Sequence, residues 1–143
     1  GRGATAGEVV IQTYTPGHPA VTAACTEDFE TFAAGELPVR RQFGYPPYAH
    51  LACLTLRGED EARTAFTAEA LARRLTAGMG PGVDVSDACP APLAKVKHHY
   101  RYQVILRAPT ARAIITPLRA ILRGERLPDG VLLAVDIDAV SLL

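Results

Sequence analysis

The sequence predicts an α+β fold: a four-stranded antiparallel sheet with two helices on one face, preceded by a short strand-helix appendage. Three observations carry that expectation. From residue 49 onward, short strand-like runs and two longer helical patterns follow one another as strand, helix, strand, strand, helix, strand. Clusters of Gly and Pro punctuate the junctions. Right-handed crossovers turn this order into a ferredoxin-like βαββαβ unit, whose second sheet face is left for solvent or a partner.

Composition sets the bounds. With 143 residues and 48% apolar content, the chain can bury a real core as one domain, or as a small domain with an appendage. The formal net charge is zero, so any affinity for a polyanion must rest on local asymmetry. Cys25, Cys53 and Cys89 are widely spaced, with no CxxC and no paired Cys/His spacing. That fits reduced thiols in a cytoplasmic protein and argues against a disulfide framework and a zinc site. No apolar run approaches the roughly 18–20 residues that span a bilayer, so no membrane partner is expected. The chain opens on Gly1-Arg2-Gly3 without an initiator Met, in a Gly-rich turn that runs into strand-like sequence. It therefore reads as a piece of a longer protein.

Residues 8–14 read as a buried strand, which Pro16, Gly17 and Pro19 end. Residues 21–24 and 26–37 look helical. Thr26 is a candidate cap for the second helix, with Glu27, Asp28 and Glu30 in its first turn and Pro38 as its stop. Residues 40–48 hold the Pro46-Pro47 pair and read as a stiff linker. The division is thus 1–44 for the appendage and linker, and 45–143 for the sheet domain.

Within that domain, residues 50–56 are apolar on both faces and suit a central strand. Glu59, Asp60 and Glu61 start a helix that runs to about Leu75, with Ala65, Ala68, Leu71, Ala72 and Leu75 on one side and Phe66 off the stripe. Residues 83–86 form a short strand, and 89–92 an irregular connection. Pro109-Thr110 opens the last helix, with Ile114, Ile115, Leu118, Ile121 and Leu122 on one side and Arg112, Arg119 and Arg123 opposite. Pro117 should kink it. Residues 131–137 form the final strand.

The most informative stretch is 95–107, read as one continuous strand. Period-two alternation puts Val96, Tyr100, Tyr102, Val104 and Leu106 on one face, with His98 among them. Lys95, Lys97, His99, Arg101, Gln103, Ile105 and Arg107 fall on the other. From Ala88 to Gly124 there are seven Lys/Arg and no acid. Such a run reads either as a binding surface for an anion or as an edge strand kept soluble by its charges. If the apolar face meets the helices, the cations turn outward, which favours binding.

No nucleophile elbow, HExxH, Walker A or GxGxxG pattern is present. His18, His50, His98 and His99 lack a sequence-adjacent carboxylate or thiolate, and Asp136 and Asp138 lack a third metal ligand, so structural roles are preferred for all of them. Tyr100 and Tyr102 suit core packing better than base stacking. No catalysis is expected from this stretch alone.

Several residues together resemble a known family. Gly1-Arg2-Gly3, Gly7, Val9, Ile11-Gln12-Thr13, Pro16 and His18 resemble the end of the second helicase lobe of the primosomal protein N-prime (PriA) family. Asp28-Phe29, Phe32, Glu36-Leu37, Arg40 and Tyr45-Pro46-Pro47 continue the pattern. So do Pro90-Ala91-Pro92, Tyr100-Arg101-Tyr102-Gln103, Asp136-Ile137-Asp138 and Ser141-Leu142-Leu143. The resemblance implies an ATP-dependent 3′→5′ DNA helicase of replication restart, acting at stalled forks. It also implies an S10-like C-terminal domain that contributes to binding branched or single-stranded DNA. Single-stranded-DNA-binding protein and other primosome proteins are the implied partners. Arg2 matches the last arginine of the family's helicase motif VI, a nucleotide-phosphate contact. ATP, Mg and Zn are implied only for the full-length family, because the Walker lysine and the zinc cysteines are not in this stretch. Ala88-Cys89 and Ala139 depart from the family's usual Gly-Pro and Asp-Pro. The expected DNA contacts are Lys95, Lys97, His99 and Arg101, with Arg112, Arg119 and Arg123 as a second set. A module that docks an acidic partner tail without touching DNA is the alternative.

Overall fold

The computed structural model describes residues 7, 9–124 and 126–139. They divide into two compact units, Gly1–Val39 and Arg40–Leu143. Arg2 lies outside the described residues.

In the first unit, α1 spans Pro19–Thr26 and α2 begins at Phe29, running on to Phe43. His18 starts α1, its Nδ1 accepting the Ala20 N–H at 3.2 Å. Thr26 does not cap the second helix. Its hydroxyl turns back to donate to the carbonyls of Thr22 and Ala23, closing the last turn of α1. Glu27 then adopts a left-handed φ of 54° to end that helix. Asp28 takes the capping role, accepting from the Thr31 N–H at 3.0 Å, and the hydrogen bonds to Thr31 hold its carboxyl below the usual range. Pro38 does not stop α2. A proline removes one ladder bond and crowds one turn, a penalty a helix survives when the turns on either side stay intact. The strand expected over residues 8–14 is not formed among the described residues: Val9 and Val10 are exposed and without regular structure. A strand needs a partner ladder for its N–H and C=O groups, and an apolar run alone supplies none.

The second unit contains β1 (His50–Gly58), α3 (Glu61–Gly78), β2 (Asp84–Val85), β3 (Cys89–Val96), β4 (His99–Ala108), α4 (Ala111–Arg123) and β5 (Leu132–Ile137). The strands form one antiparallel sheet in the order β2-β4-β1-β5, with β3 also pairing with β4. Both helices pack on one face, giving the ferredoxin-like α+β architecture. β1 is central, as its two apolar faces require. Asp60 caps α3 by accepting the Arg63 N–H at 2.9 Å, and Thr110 caps α4 in the same way through Ala113.

The core lies between the helices and Leu54, Leu56, Val104 and Leu106 of the sheet. Leu71 and Leu75 of α3, with Ile114 and Leu118 of α4, close it from above. Each such side chain stabilises the fold by about 1.5–3 kcal/mol relative to exposure. Thr64 and Thr67 share the buried stripe of α3 because their hydroxyls bond back to the carbonyls of Asp60 and Arg63, which leaves their methyl groups to pack. Phe66, off the stripe, is exposed.

Residues 95–107 are not one strand. The chain reverses at Lys97-His98, and β3 runs back along β4 with Val96 opposite His99 and Lys95 opposite Tyr100. Lys97 takes φ 57°, the left-handed conformation that a two-residue hairpin loop demands. Residues 89–92, expected as an irregular connection, belong to β3, which carries a register irregularity between Pro90 and Lys95.

Candidate nucleic-acid interface

The hairpin redistributes the cations. Residues directly opposite in an antiparallel pair share a face, so Lys95 goes with Tyr100 and Val96 goes with His99. Lys95 therefore leaves the row it was expected to join. Its Nζ donates to the Tyr100 hydroxyl at 2.9 Å and stands 4.2 Å from that ring's centroid. Val96 takes the vacated place on the open face.

The helix-free face is built from His99, Arg101, Gln103, Ile105 and Arg107 of β4. Leu51, Cys53, Thr55 and Arg57 of β1 stand beside them. Leu132, Ala134 and Asp136 of β5 complete it. Arg57 is paired directly with Arg101 on one side and with Leu132 on the other. An open depression of about 870 Å³ lies here, lined by Arg57, Lys97, His99, Arg101, Val96 and Asp136 among others. Leu132, Ala134 and Cys53 add apolar surface to it.

The charge balance of this depression is positive. Asp136 is the acid in its lining, against Arg57, Lys97 and Arg101. Among the described residues no carboxylate lies within ion-pair distance of those three cations. His99 Nε2 is 4.0 Å from Glu59 Oε1, an exposed and weak contact. Two guanidinium groups placed opposite each other repel, and a fold keeps such a pair only at some cost. Arg57 was not among the residues singled out from sequence, since it closes a strand that reads as apolar. Pairing register is the signal that finds it.

The remaining candidates lie elsewhere. Arg112, Arg119 and Arg123 are exposed on α4, which covers the opposite sheet face, so they do not join the depression. Arg107 shares the open face, but its Nη1 donates to the Phe43 carbonyl and its Nη2 lies 3.8 Å from Asp84. Tyr102 packs partly against the core, where burial first and the Glu61 carboxylate second push its phenol pKa up. His50, without a sequence neighbour to pair with, meets Asp138 at 2.7 Å. Asp138 also accepts the Leu51 N–H at 3.0 Å, and these two bonds, His50 first, hold its carboxyl below the usual range. Among the described residues no group of three or more His, Cys, Asp and Glu is placed to hold a metal ion, and no helix is long and apolar enough to cross a membrane.

Fold and site together define a ferredoxin-like α+β domain with an open, cation-lined sheet face. Residues 41–140 match the family model for the primosomal protein N C-terminal domain, and the chain belongs to that family. It is 34% identical to the replication restart protein PriA of Synechocystis over 99% of its own length and 17% of that protein. The Bacillus subtilis protein of the same name is 34% identical over 100% of this chain and 18% of its own length. For that of Treponema pallidum the figures are 36%, 100% and 22%. The chain thus spans about a fifth of the curated relatives it matches. The de novo designed protein Foldit4 superposes with a TM-score of 0.47 at 14% identity, covering 62% of this chain and 94% of its own, too weak a likeness to bear on function.

Proposed function

We propose that this chain is the DNA-contacting and partner-contacting portion of a replication-restart helicase that works at stalled forks in the cytoplasm. Residues 1–44 belong in this reading to the end of a helicase lobe, and 45–143 form an S10-like domain. ATP hydrolysis, with Arg2 at the nucleotide, is a property of the whole helicase and not of this stretch. Branched or single-stranded DNA is the ligand, and other primosome proteins are its neighbours. Support comes from the names of the relatives and, above all, from one observation: Arg57 and Arg101 stand opposite each other, without acid partners among the described residues, in a depression that also holds Lys97 and His99. Phosphate oxygens are the ligand chemistry that relieves such a pair, and they position DNA without reading its sequence.

The test is the salt dependence of binding to a labelled forked DNA. Replacing both Arg57 and Arg101 with Ala should weaken binding and flatten the log–log salt slope by roughly 1.5–2. An unchanged slope rules this face out. The second reading is an acidic partner tail, that of single-stranded-DNA-binding protein, and the mixture of Leu132 and Ala134 with the cations favours it specifically. Titration with an acidic peptide ending in apolar residues separates the two, since a peptide that binds without competing with DNA contradicts a shared site.

A further inference from the structure

The open face of the sheet does not end at the cationic depression. Six residues along β4 from Arg101, or about 20 Å at the strand rise, Arg107 occupies the same face. Its guanidinium lies over the ring of Tyr45, 5.4 Å from the centroid. The segment that brings Tyr45 there is stiffly held. Tyr45 N–H donates to the Arg40 carbonyl at 2.8 Å, Tyr48 N–H donates to the Tyr45 carbonyl at 3.0 Å, and Arg40 Nη1 reaches the Pro46 carbonyl at 3.2 Å. Gly44 takes φ 61°, and a Cβ built on it would stand 3.3 Å from Arg107 Cδ, so this turn sits directly on the arginine. Tyr48 repeats the arrangement, with the Arg41 guanidinium 4.9 Å from its ring centroid.

As whole residues Tyr45 and Tyr48 nonetheless stay 39% and 40% exposed, and Phe43 beside them is exposed as well. Among the described residues neither phenol oxygen has a hydrogen-bond partner, so the hydroxyls do no structural work. Aromatic rings held by prolines, backed by guanidinium groups and open to solvent have the composition of a surface on which bases stack.

We propose that Tyr45 and Tyr48 form a base-stacking platform, which gives this domain a preference for single-stranded over duplex nucleic acid. The inference rests on the phosphate-binding reading of the Arg57–Arg101 depression, and names what that reading leaves open. Phosphate contacts are the same for paired and unpaired strands, whereas stacking on a protein ring needs a base whose face is free. A strand laid along β4 meets cations at one end and aromatic faces at the other. Because Pro46 and Pro47 hold the segment, little ordering is needed when bases arrive.

The experiment uses the 143-residue chain and three labelled probes of equal length: oligo(dT), an abasic oligomer with the same phosphates, and a duplex. The wild-type chain should bind oligo(dT) about tenfold more tightly than the abasic strand. The Tyr45→Leu/Tyr48→Leu variant should lose that ratio, and the Tyr45→Phe/Tyr48→Phe variant should keep it, since Phe stacks without a hydroxyl. The chain has no Trp, so its tyrosine emission is directly readable, and oligo(dT) should quench it while the abasic strand does not. Equal wild-type affinity for oligo(dT) and the abasic strand overturns the platform but leaves the phosphate reading standing. So does a Leu variant that retains the ratio. If instead no probe binds, or if Arg57→Ala/Arg101→Ala binds all three as the wild type does, the phosphate reading fails and takes the platform with it.

Discussion

Arg57 and Arg101 face each other across β1 and β4, a like-charge pair near one end of the ladder on the helix-free sheet face. Thr55 and Gln103, two residue pairs further along the ladder, form the next pair on that face, and they carry no charge. The repulsion is therefore local.

Replacing Arg57 with Gln removes this repulsion while keeping a long polar side chain. The variant should be more stable than the wild type by about 0.2–1 kcal/mol, with the larger gain at low salt. Urea unfolding at two ionic strengths measures it. A loss of stability would show that Arg57 is a structural residue and not a strained one.

Lys97 pays for its left-handed φ of 57° in the two-residue turn between β3 and β4. Glycine adopts that region freely, so Lys97→Gly should stabilise the chain by up to about 1 kcal/mol despite the added freedom of the unfolded chain. Thermal melts decide the sign. Destabilisation by more than 1 kcal/mol, a rough threshold, would contradict a hairpin at this position.

The His50–Asp138 contact joins the start of β1 to the residue after β5. Because the folded carboxyl of Asp138 is held below its usual value, chiefly by its bond to His50, the stabilisation it provides is present above about pH 4. It is lost as pH falls through the depressed folded value. Asn tolerates the left-handed φ of 52° at this position, so Asp138→Asn isolates the charge from the backbone geometry. The melting temperature of the variant should fall below that of the wild type at neutral pH, and the two should converge in acid. A gap that persists undiminished at pH near 2, well under the unfolded carboxyl pKa, would assign the effect to something other than this carboxylate.

Gly58 ends β1 where α3 and the turn before β5 come close. A Cβ there would meet Thr64 Oγ1 at 2.5 Å and the Gly130 carbonyl at 3.0 Å. Thr64 cannot easily yield, since its hydroxyl is bonded to the Asp60 carbonyl at 2.6 Å. Gly58→Ala should cost about 1–3 kcal/mol. Gly35, in α2, has nothing within 4 Å of a built Cβ, and Gly35→Ala should instead stabilise by about 0.5–1 kcal/mol. Denaturant midpoints of the two variants moving in the same direction would refute this account.

The two helices of the second unit, the central place of β1 and the Ala68, Leu71, Ala72 and Leu75 stripe of α3 were legible in the sequence, because they depend on local periodicity and on caps such as Asp60 that act within a few residues; the fifth strand, β3, was not. Thr26 and Pro38 misled for a related reason: a hydroxyl has several carbonyls to choose from, and a proline weakens a helix without always ending it. The reversal at Lys97-His98 left no trace in the pattern, since alternation continues on both sides and neither residue is a usual turn former. That one turn moved Lys95 to the other face and Val96 into its place.

Local rules thus settle which segments become helices and strands and which side of each is apolar, because 3.6- and two-residue periods are properties of a segment by itself. Pairing register belongs to two segments at once. Only the folded sheet could set Arg57 against Arg101, His50 against Asp138 and Arg107 over Tyr45, joining residues 44, 88 and 62 positions apart in the chain. Such meetings are created by hydrogen-bonded strands, and no stretch of sequence contains them.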